Sequence, residues 1–212
     1  IAGFGAHGAI VHYEATEDTD AEVRPNGLLL LDSGAHYDCG TTDITRTIAI
    51  GEPAEEERRV YTLVLKGHLQ LQAMHFPQGT TGLQLDTVAR AAMWREGYDF
   101  GHGTGHGVGH VLGVHEGPVQ IRKNHRADTV LPVQVGQVIT DEPGIYLPNR
   151  FGVRIEDMIC LGENADCAED ARSFIENIKK SDVTVFALTD HDTVDGIEAI
   201  RSELSDSLHF IT

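Results

Sequence analysis

Basic residues are scarce in this chain. Its 212 residues hold 16 Lys and Arg against 33 Asp and Glu, a formal net charge of −17. Nucleic acid is excluded as a partner on that balance, because phosphate contacts need clustered Lys and Arg. Long apolar runs are missing too. Those present, such as Leu28 to Leu31, have the length of buried strands, so no membrane span is expected. Cysteine is limited to Cys39, Cys160 and Cys167, odd in number and without metal-type spacing. That usage fits reduced thiols and a cytoplasmic setting rather than a disulfide framework. No secretory leader is visible, and the chain opens on Ile1 rather than Met. The hydrophobic share of 41% still suits a folded protein with one good core, or one domain plus part of a second.

What the chain does have is glycine and histidine in one place. Gly101 to Pro118, GHGTGHGVGHVLGVHEGP, packs His102, His106, His110 and His115 among seven glycines in eighteen residues. Glycine lets a backbone approach a ligand closely, and imidazole supplies metal ligands and groups that titrate near neutrality. A functional site is expected here.

The surrounding pattern is α+β. An acidic stretch from Glu14 to Glu22 reads as a solvated loop. Gly27 to Asp32 and Asp43 to Ile50 read as two strands of a hairpin, with Ser33 to Thr42 as the link. Pro53 to Phe76 carries Val60, Leu63, Val64, Gly67, Leu71 and Met74 on one helical stripe, with three glutamates at its N-terminal end. Thr81 caps a second helix bearing Leu85, Val88, Ala89, Ala92 and Met93. After a polar loop, Arg122 to Thr129, the segments Gln137 to Asp141 and Gly152 to Leu161 read as strands joined by a Pro/Gly-rich turn. Segregated strands and helices of this kind are not repeated βαβ units. The character changes near Gly162. Residues 168–180 predict a helix, Val183 to Leu188 a strand, residues 194–204 a helix and Leu208 to Ile211 a strand, an αβαβ fragment. Two domains are therefore expected, 1–161 and 162–212.

Four carboxylates stand out against this frame. Asp32 ends one strand and Asp43 starts its neighbour, so a hairpin brings both to one point, although aspartates at strand ends also serve as turn caps. Glu142 follows a strand in TDEPG, and Glu156 lies within GVRIEDM. A glutamate in a largely apolar strand needs a partner or a metal, since burying an isolated charge costs several kcal/mol. A salt bridge to Arg154, two residues away on the same face, is the alternative for Glu156. If these four converge with one histidine, like charges at close range force some to stay protonated unless cations intervene. Two divalent cations would cancel the charge. Carboxylate-dominated ligation favours Mn²⁺ over Zn²⁺, with Co²⁺ also compatible. Such a pair, roughly 3.5–4 Å apart, holds a bridging water as hydroxide and polarises a carbonyl, which is the equipment of a hydrolase.

The blocks LLLLDSGAHYDCGTTDITRT, GHGTGHGVGHVLGVHEGP, TDEPGIY and GVRIEDM resemble, in order, the active-site blocks of the pita-bread metallopeptidases. Within these the likeness is strongest to the aminopeptidase P branch, and it covers about residues 1–160. The resemblance implies a pita-bread catalytic domain that lacks its first helices here, and five metal ligands: Asp32, Asp43, His106, Glu142 and Glu156. Asp43 and Glu156 would bridge the two ions, Asp32 would chelate one, and His106 with Glu142 would hold the other. His12, His102 and His115 match the family's further active-site histidines, which would bind substrate and take part in catalysis. Glu142 would act as general base and then acid, His115 and His102 would stabilise the negative oxygen, and Thr45 and Arg154 would orient ligands. The implied reaction releases an N-terminal residue from peptides with proline in second position, with a homodimer as an allowed assembly. Prolidase or methionine aminopeptidase activity, or a peptide-binding module without catalysis, are the alternatives on the same fold.

His110 is read as structural, and His7, His36, His68, His75 and His125 as surface or packing. The tail, ENIKKSDVTVFALTDHDTVDGIEAI, is similar to the second motif of PHP-domain phosphoesterases, in which His191 would be a ligand at the end of a barrel strand. The histidine pair that opens that domain is absent, so no working phosphoesterase site is expected.

Overall fold

A computed structural model describes residues 1–111, 113–127 and 129–162, together with the backbone of 185–187 and 209–211. The chain divides into two compact units, Ile1–Cys167 and Ala168–Thr212. In the first, β1 (Ala2–Phe4), β2 (Gly27–Tyr37) and β3 (Gly40–Ile50) form an antiparallel sheet in that order. The link expected at Ser33 to Thr42 is strand on both sides, because the two runs stay paired until Tyr37 meets Gly40. Between β1 and β2 the acidic stretch Glu14 to Glu22 is exposed throughout, as a solvated loop should be.

Helices α1 (Glu55–Gln72) and α2 (Gly82–Trp94) come next. Each starts where its own side chains satisfy the first amides. The Glu57 carboxylate accepts from the Ala54 N–H at 2.7 Å, and the Gln84 amide oxygen accepts from the Thr81 N–H at 2.8 Å. The helices touch at Gly67, where a Cβ would lie 2.1 Å from the Ala89 carbonyl oxygen. Glycine there costs about 1 kcal/mol of helix propensity and permits the close crossing. Val60, Leu63 and Val64 of α1 then join Met93, Phe100, Ile145 and Val153 in one core cluster. Leu71, Leu85 and Ala89 join Ile121, Ile139 and Ile159 in a second. Each such aliphatic side chain contributes roughly 1.5–3 kcal/mol on burial.

The remaining strands are short: β4 (Gly105–His106) with β5 (Gln120–Ile121), β6 (Val138–Asp141) with β9 (Asp157–Cys160), and β7 (Gly144–Leu147) with β8 (Phe151–Arg154), all antiparallel. The continuous strand expected at Gly152 to Leu161 is thus two strands. It breaks at Ile155 and Glu156 because Glu156 pairs instead with Thr45 of β3, its N–H donating to the Thr45 carbonyl at 3.1 Å. That break turns the β6–β9 pair towards the β2–β3 hairpin. Among the described residues no helix is long and apolar enough to cross a membrane.

In the second unit, β10 (Val185–Ala187) pairs in parallel with β11 (His209–Ile211). The helices expected at 168–180 and 194–204, and His191, lie outside the described residues.

Candidate metal centre

Strand register explains why carboxylates remote in sequence face one cavity. Asp32 of β2 stands opposite Thr45 of β3, and Thr45 pairs on its other side with Glu156. Three adjacent backbones therefore carry Asp32, Thr45 and Glu156 in a row. Asp43 is two residues before Thr45 and shares its face. From the opposite wall β4 supplies His106. It is brought close because Gly105 has no side chain: a Cβ there would lie 1.8 Å from the Thr140 carbonyl oxygen. Glu142 follows β6, its N–H donating to the Thr104 carbonyl at 2.7 Å.

Asp32, Asp43, His106, Glu142 and Glu156 line a cavity of about 630 Å³ together with His12, His36, His102, His115 and Arg154. One ligand atom each from Asp43, His106 and Glu156 lies within 4.8 Å of the others. His106 Nε2 is 3.5 Å from Asp43 Oδ2 and 3.4 Å from Glu142 Oε1. Its Nδ1–H donates to the Gly107 carbonyl at 2.9 Å, which leaves Nε2 facing the carboxylates. A hydrogen bond on the far nitrogen is how proteins orient an imidazole for a metal.

The electrostatics ask for positive charge. Burial and the neighbouring Glu156, Asp43 and Asp32 carboxylates push the Glu142 pKa well above its ordinary value. Burial and Asp43 push Glu156 up to about 7, against the Thr45 hydrogen bond. Burial alone would lower the His106 pKa, but Asp43, the Gly107 carbonyl and Glu156 outweigh it and the net shift is upward. Arg154 supplies one positive charge: its Nη2 donates to Asp32 Oδ2 at 2.7 Å, with the guanidinium almost fully buried. Four carboxylates sharing one arginine and one imidazole fit a pair of divalent cations, which would relieve the repulsion that otherwise protonates them.

Arg154 also rules on its own alternative. It reaches Asp32, Tyr146 and Thr45 rather than Glu156, and Glu156 Oε2 instead accepts from the Thr45 hydroxyl at 2.5 Å. Tyr146 was not evident as a site residue from sequence, although it ends the TDEPGIY block. Its hydroxyl accepts from Arg154 Nη1 and donates to His102 Nε2, both at 2.8 Å, and burial raises its pKa to about 12. His102 Nδ1–H donates to the Gly103 carbonyl at 2.7 Å. Burial, with Arg154, Arg90 and His12 nearby, lowers the His102 pKa to about 4, so the ring is neutral and both its nitrogens are engaged within the chain.

His115 is exposed at the cavity wall, its ring edge-on to His106 at 4.3 Å between centroids. Burial and His106 lower its pKa. His12 is exposed on the rim, and His110 is exposed away from the lining. His36, read as surface or packing, lies on the cavity lining, where its Nδ1 stands 3.1 Å from the Thr41 hydroxyl.

Behind the histidine segment sits a buried ion pair that sequence reading missed. Arg90 and Asp86 of α2 are each 0% exposed, and Arg90 Nε donates to Asp86 Oδ2 at 2.6 Å. Arg90 also donates to the Phe100 and His102 carbonyls at 2.7 and 2.8 Å, while Thr104 donates to Asp86 Oδ1 at 2.7 Å. The segment from Phe100 to Thr104 is thereby fastened to α2 on both sides of His102. The signal was present in sequence: Asp86 and Arg90, four apart, fall inside the apolar stripe of α2.

Known proteins resemble this chain in sequence and fold. A Paracoccidioides brasiliensis protein described as "Probable Xaa-Pro aminopeptidase P" is 50% identical over 163 residues, which is 77% of this chain and 26% of that protein. The chain thus spans about a quarter of the length of the curated relatives it matches. The crystal structure of an X-prolyl aminopeptidase from Caenorhabditis elegans, described as a cytosolic enzyme with a di-nuclear active site, is 47% identical. It superposes with a TM-score of 0.71 over 76% of this chain and 26% of that one. Prolidase from Pyrococcus furiosus is 37% identical with a TM-score of 0.68, over 77% of this chain and 46% of that one. The pita-bread fold expected of the catalytic part is the fold of these proteins. Residues 1–163 match the sequence profile of metallopeptidase family M24, and the chain belongs to that family.

Proposed function

We propose that this chain carries the catalytic part of a metal-dependent aminopeptidase that hydrolyses the bond between an N-terminal residue and a following proline. The observation that carries the reading is the convergence of Asp43, His106 and Glu156 ligand atoms in a cavity that Asp32 and Glu142 also line. In this reading Asp43, His106 and Glu156, with Asp32 and Glu142 beside them, would hold two cations. Mn²⁺ is the preferred ion because oxygen donors outnumber the single imidazole. When bound, such a pair supplies a water acidified to near-neutral pKa and a Lewis acid for the carbonyl oxygen.

The chain's own groups account for the rest. Glu142, on the cavity lining beside His106, would take a proton from the attacking water on a carboxylate oxygen and return it to the departing proline nitrogen. His115, exposed in the cavity and carrying a ring N–H, faces the oxygen that becomes negative. His102 keeps Tyr146 and the cavity wall in place, and His12 lines the rim where a peptide enters. Thr45 and Arg154 orient Glu156 and Asp32.

A second reading, hydrolysis of Xaa-Pro dipeptides, is favoured by the likeness to the Pyrococcus furiosus prolidase. Hydrolysis of Arg-Pro-Pro, Gly-Pro and Met-Ala-Ser with Mn²⁺ present separates them. Release of arginine from Arg-Pro-Pro with little action on the other two is expected; preferential cleavage of Gly-Pro would transfer the assignment to prolidase. The cytosol is the proposed location, in keeping with the scattered cysteines and with the description of the nematode enzyme. A homodimer is the proposed assembly, which the native mass tests. We place the domain boundary after residue 161, close to the end of the family match at residue 163 and a few residues before the end of the first compact unit at Cys167.

A further inference from the structure

Directly behind the two glutamates lies a second charged cluster that the reaction does not use. His68 of α1 is 0% exposed. Its Nε2 stands 3.0 Å from Asp157 Oδ2, and its Nδ1 stands 3.1 Å from both the backbone oxygen and Oδ2 of Asp141. Asp141 and Asp157 are register partners across β6 and β9. Asp141 immediately precedes Glu142, and Asp157 immediately follows Glu156. Successive side chains of a strand point to opposite faces, so the aspartates turn towards α1 where the glutamates turn towards the cavity.

We propose that His68 is a positioning residue for the metal site: from α1 it pins the opposed ends of β6 and β9 and so sets the spacing of Glu142 and Glu156. The inference rests on the metal-centre reading above. Two carboxylates directly opposite each other on paired strands repel, and an imidazole between them turns that repulsion into a clamp. Asp157 is further held by Arg46, whose Nη2 donates to Oδ1 at 2.8 Å while its Nη1 donates to the Glu156 carbonyl at 2.7 Å. Asp141 depends on His68 more heavily. Among the described residues neither of its carboxylate oxygens makes a well-aligned hydrogen bond, so its charge is balanced by proximity to the imidazole. Burial works against a charged ring, yet the two aspartates raise the His68 pKa to about 9, and Gln72 Nε2 lies 2.9 Å from the same Nε2 that faces Asp157.

The test titrates the full chain, stripped of metal, with Co²⁺ and follows its visible absorption, which reports ligand geometry. Parent, His68→Gln, His68→Leu and Leu71→Ala are compared. Leu71→Ala opens a core cavity one turn along the same helix and controls for loss of stability. His68→Leu is expected to weaken Co²⁺ binding by about tenfold or more and to change the band shape, the scale of losing an outer support of a metal site. His68→Gln, which keeps a donor towards Asp157, is expected to fall between that variant and the parent, and Leu71→Ala to keep the parent spectrum. Parent-like affinity and spectrum in both His68 variants, or an equal change in Leu71→Ala, overturns the proposal. If His68→Leu does not fold, the comparison of His68→Gln with Leu71→Ala decides it. A parent that develops no Co²⁺ band overturns the metal reading and this inference with it; a parent band with unchanged His68 variants overturns this inference alone.

Discussion

Replacing Arg90 by methionine tests how the histidine segment is held. The side chain is fully buried, as is its partner Asp86, and it makes polar contacts with Asp86, Asp99 and the Phe100 and His102 carbonyls. Its guanidinium also lies 3.6 Å from the Phe100 ring centroid. Methionine keeps most of the volume, so little of the loss comes from a cavity. The dominant effect is Asp86 left charged in the interior without its cation, and removing one partner of a buried pair costs about 3–5 kcal/mol. For a domain of this size each kcal/mol moves Tm by about 2–4 °C, so a fall of roughly 6–20 °C is expected. Thermal melts of the metal-free chain followed by circular dichroism measure it, with urea melts to check that the m-value is unchanged. Adding Asp86→Leu to Arg90→Met removes the orphaned charge and is expected to restore part of the loss, a coupling of about 0.5–3 kcal/mol. A loss under about 1 kcal/mol for Arg90→Met, the range of exposed pairs, would refute the claim that this pair is a buried anchor.

Three smaller predictions follow from the site. Thr45→Val removes the hydroxyl that donates to Glu156 and is expected to weaken Mn²⁺ binding about 10–100-fold, read by calorimetric titration; unchanged affinity would show that Glu156 is oriented otherwise. Tyr146→Phe leaves the buried Arg154 Nη1 and the His102 Nε2 without their shared partner and is expected to cost about 1–3 kcal/mol in a urea melt. The third concerns pH. A carboxyl whose folded pKa is raised, as Glu156 is from 4.5 to about 7, supports the fold below its unfolded pKa and loses that support as pH rises through 7. Cations favour the ionised form, so the stabilisation gained on adding Mn²⁺, read from thermal melts, is expected to grow between pH 5 and pH 8, approaching about 4 kcal/mol where Mn²⁺ stands at 1,000 times its Kd. A gain that is flat across that range contradicts the coupling.

The four carboxylates were legible as candidates from their places at strand ends and in an apolar strand, whereas the resemblance to the pita-bread metallopeptidases was needed to single out His106 among the clustered histidines. Asp32 and Asp43 flank a hairpin, and His106 lies where glycines clear the backbone path. Helix α1 was legible from periodicity, since its buried residues recur every three or four positions, and the start of β2 from its unbroken apolar run. What was not legible depends on partners far along the chain. The break at Glu156 comes from pairing with Thr45, 111 residues away, and no local feature of GVRIEDM announces it. His68 looked like one more polar residue on an amphipathic helix; its meaning lies in Asp141 and Asp157, 73 and 89 residues further on. Arg154 was expected beside Glu156 because the two are close in sequence, yet the register offers it Asp32, whose carboxylate it reaches in the folded chain.

The central claim is that Asp32, Asp43, His106, Glu142 and Glu156 jointly bind a pair of divalent cations. Anomalous scattering from crystals soaked in Mn²⁺, collected at the manganese edge, measures this most directly. Two peaks roughly 3.5–4 Å apart, each within bonding distance of these side chains, are predicted. An empty cavity, or manganese bound only elsewhere on the acidic surface, would contradict the account.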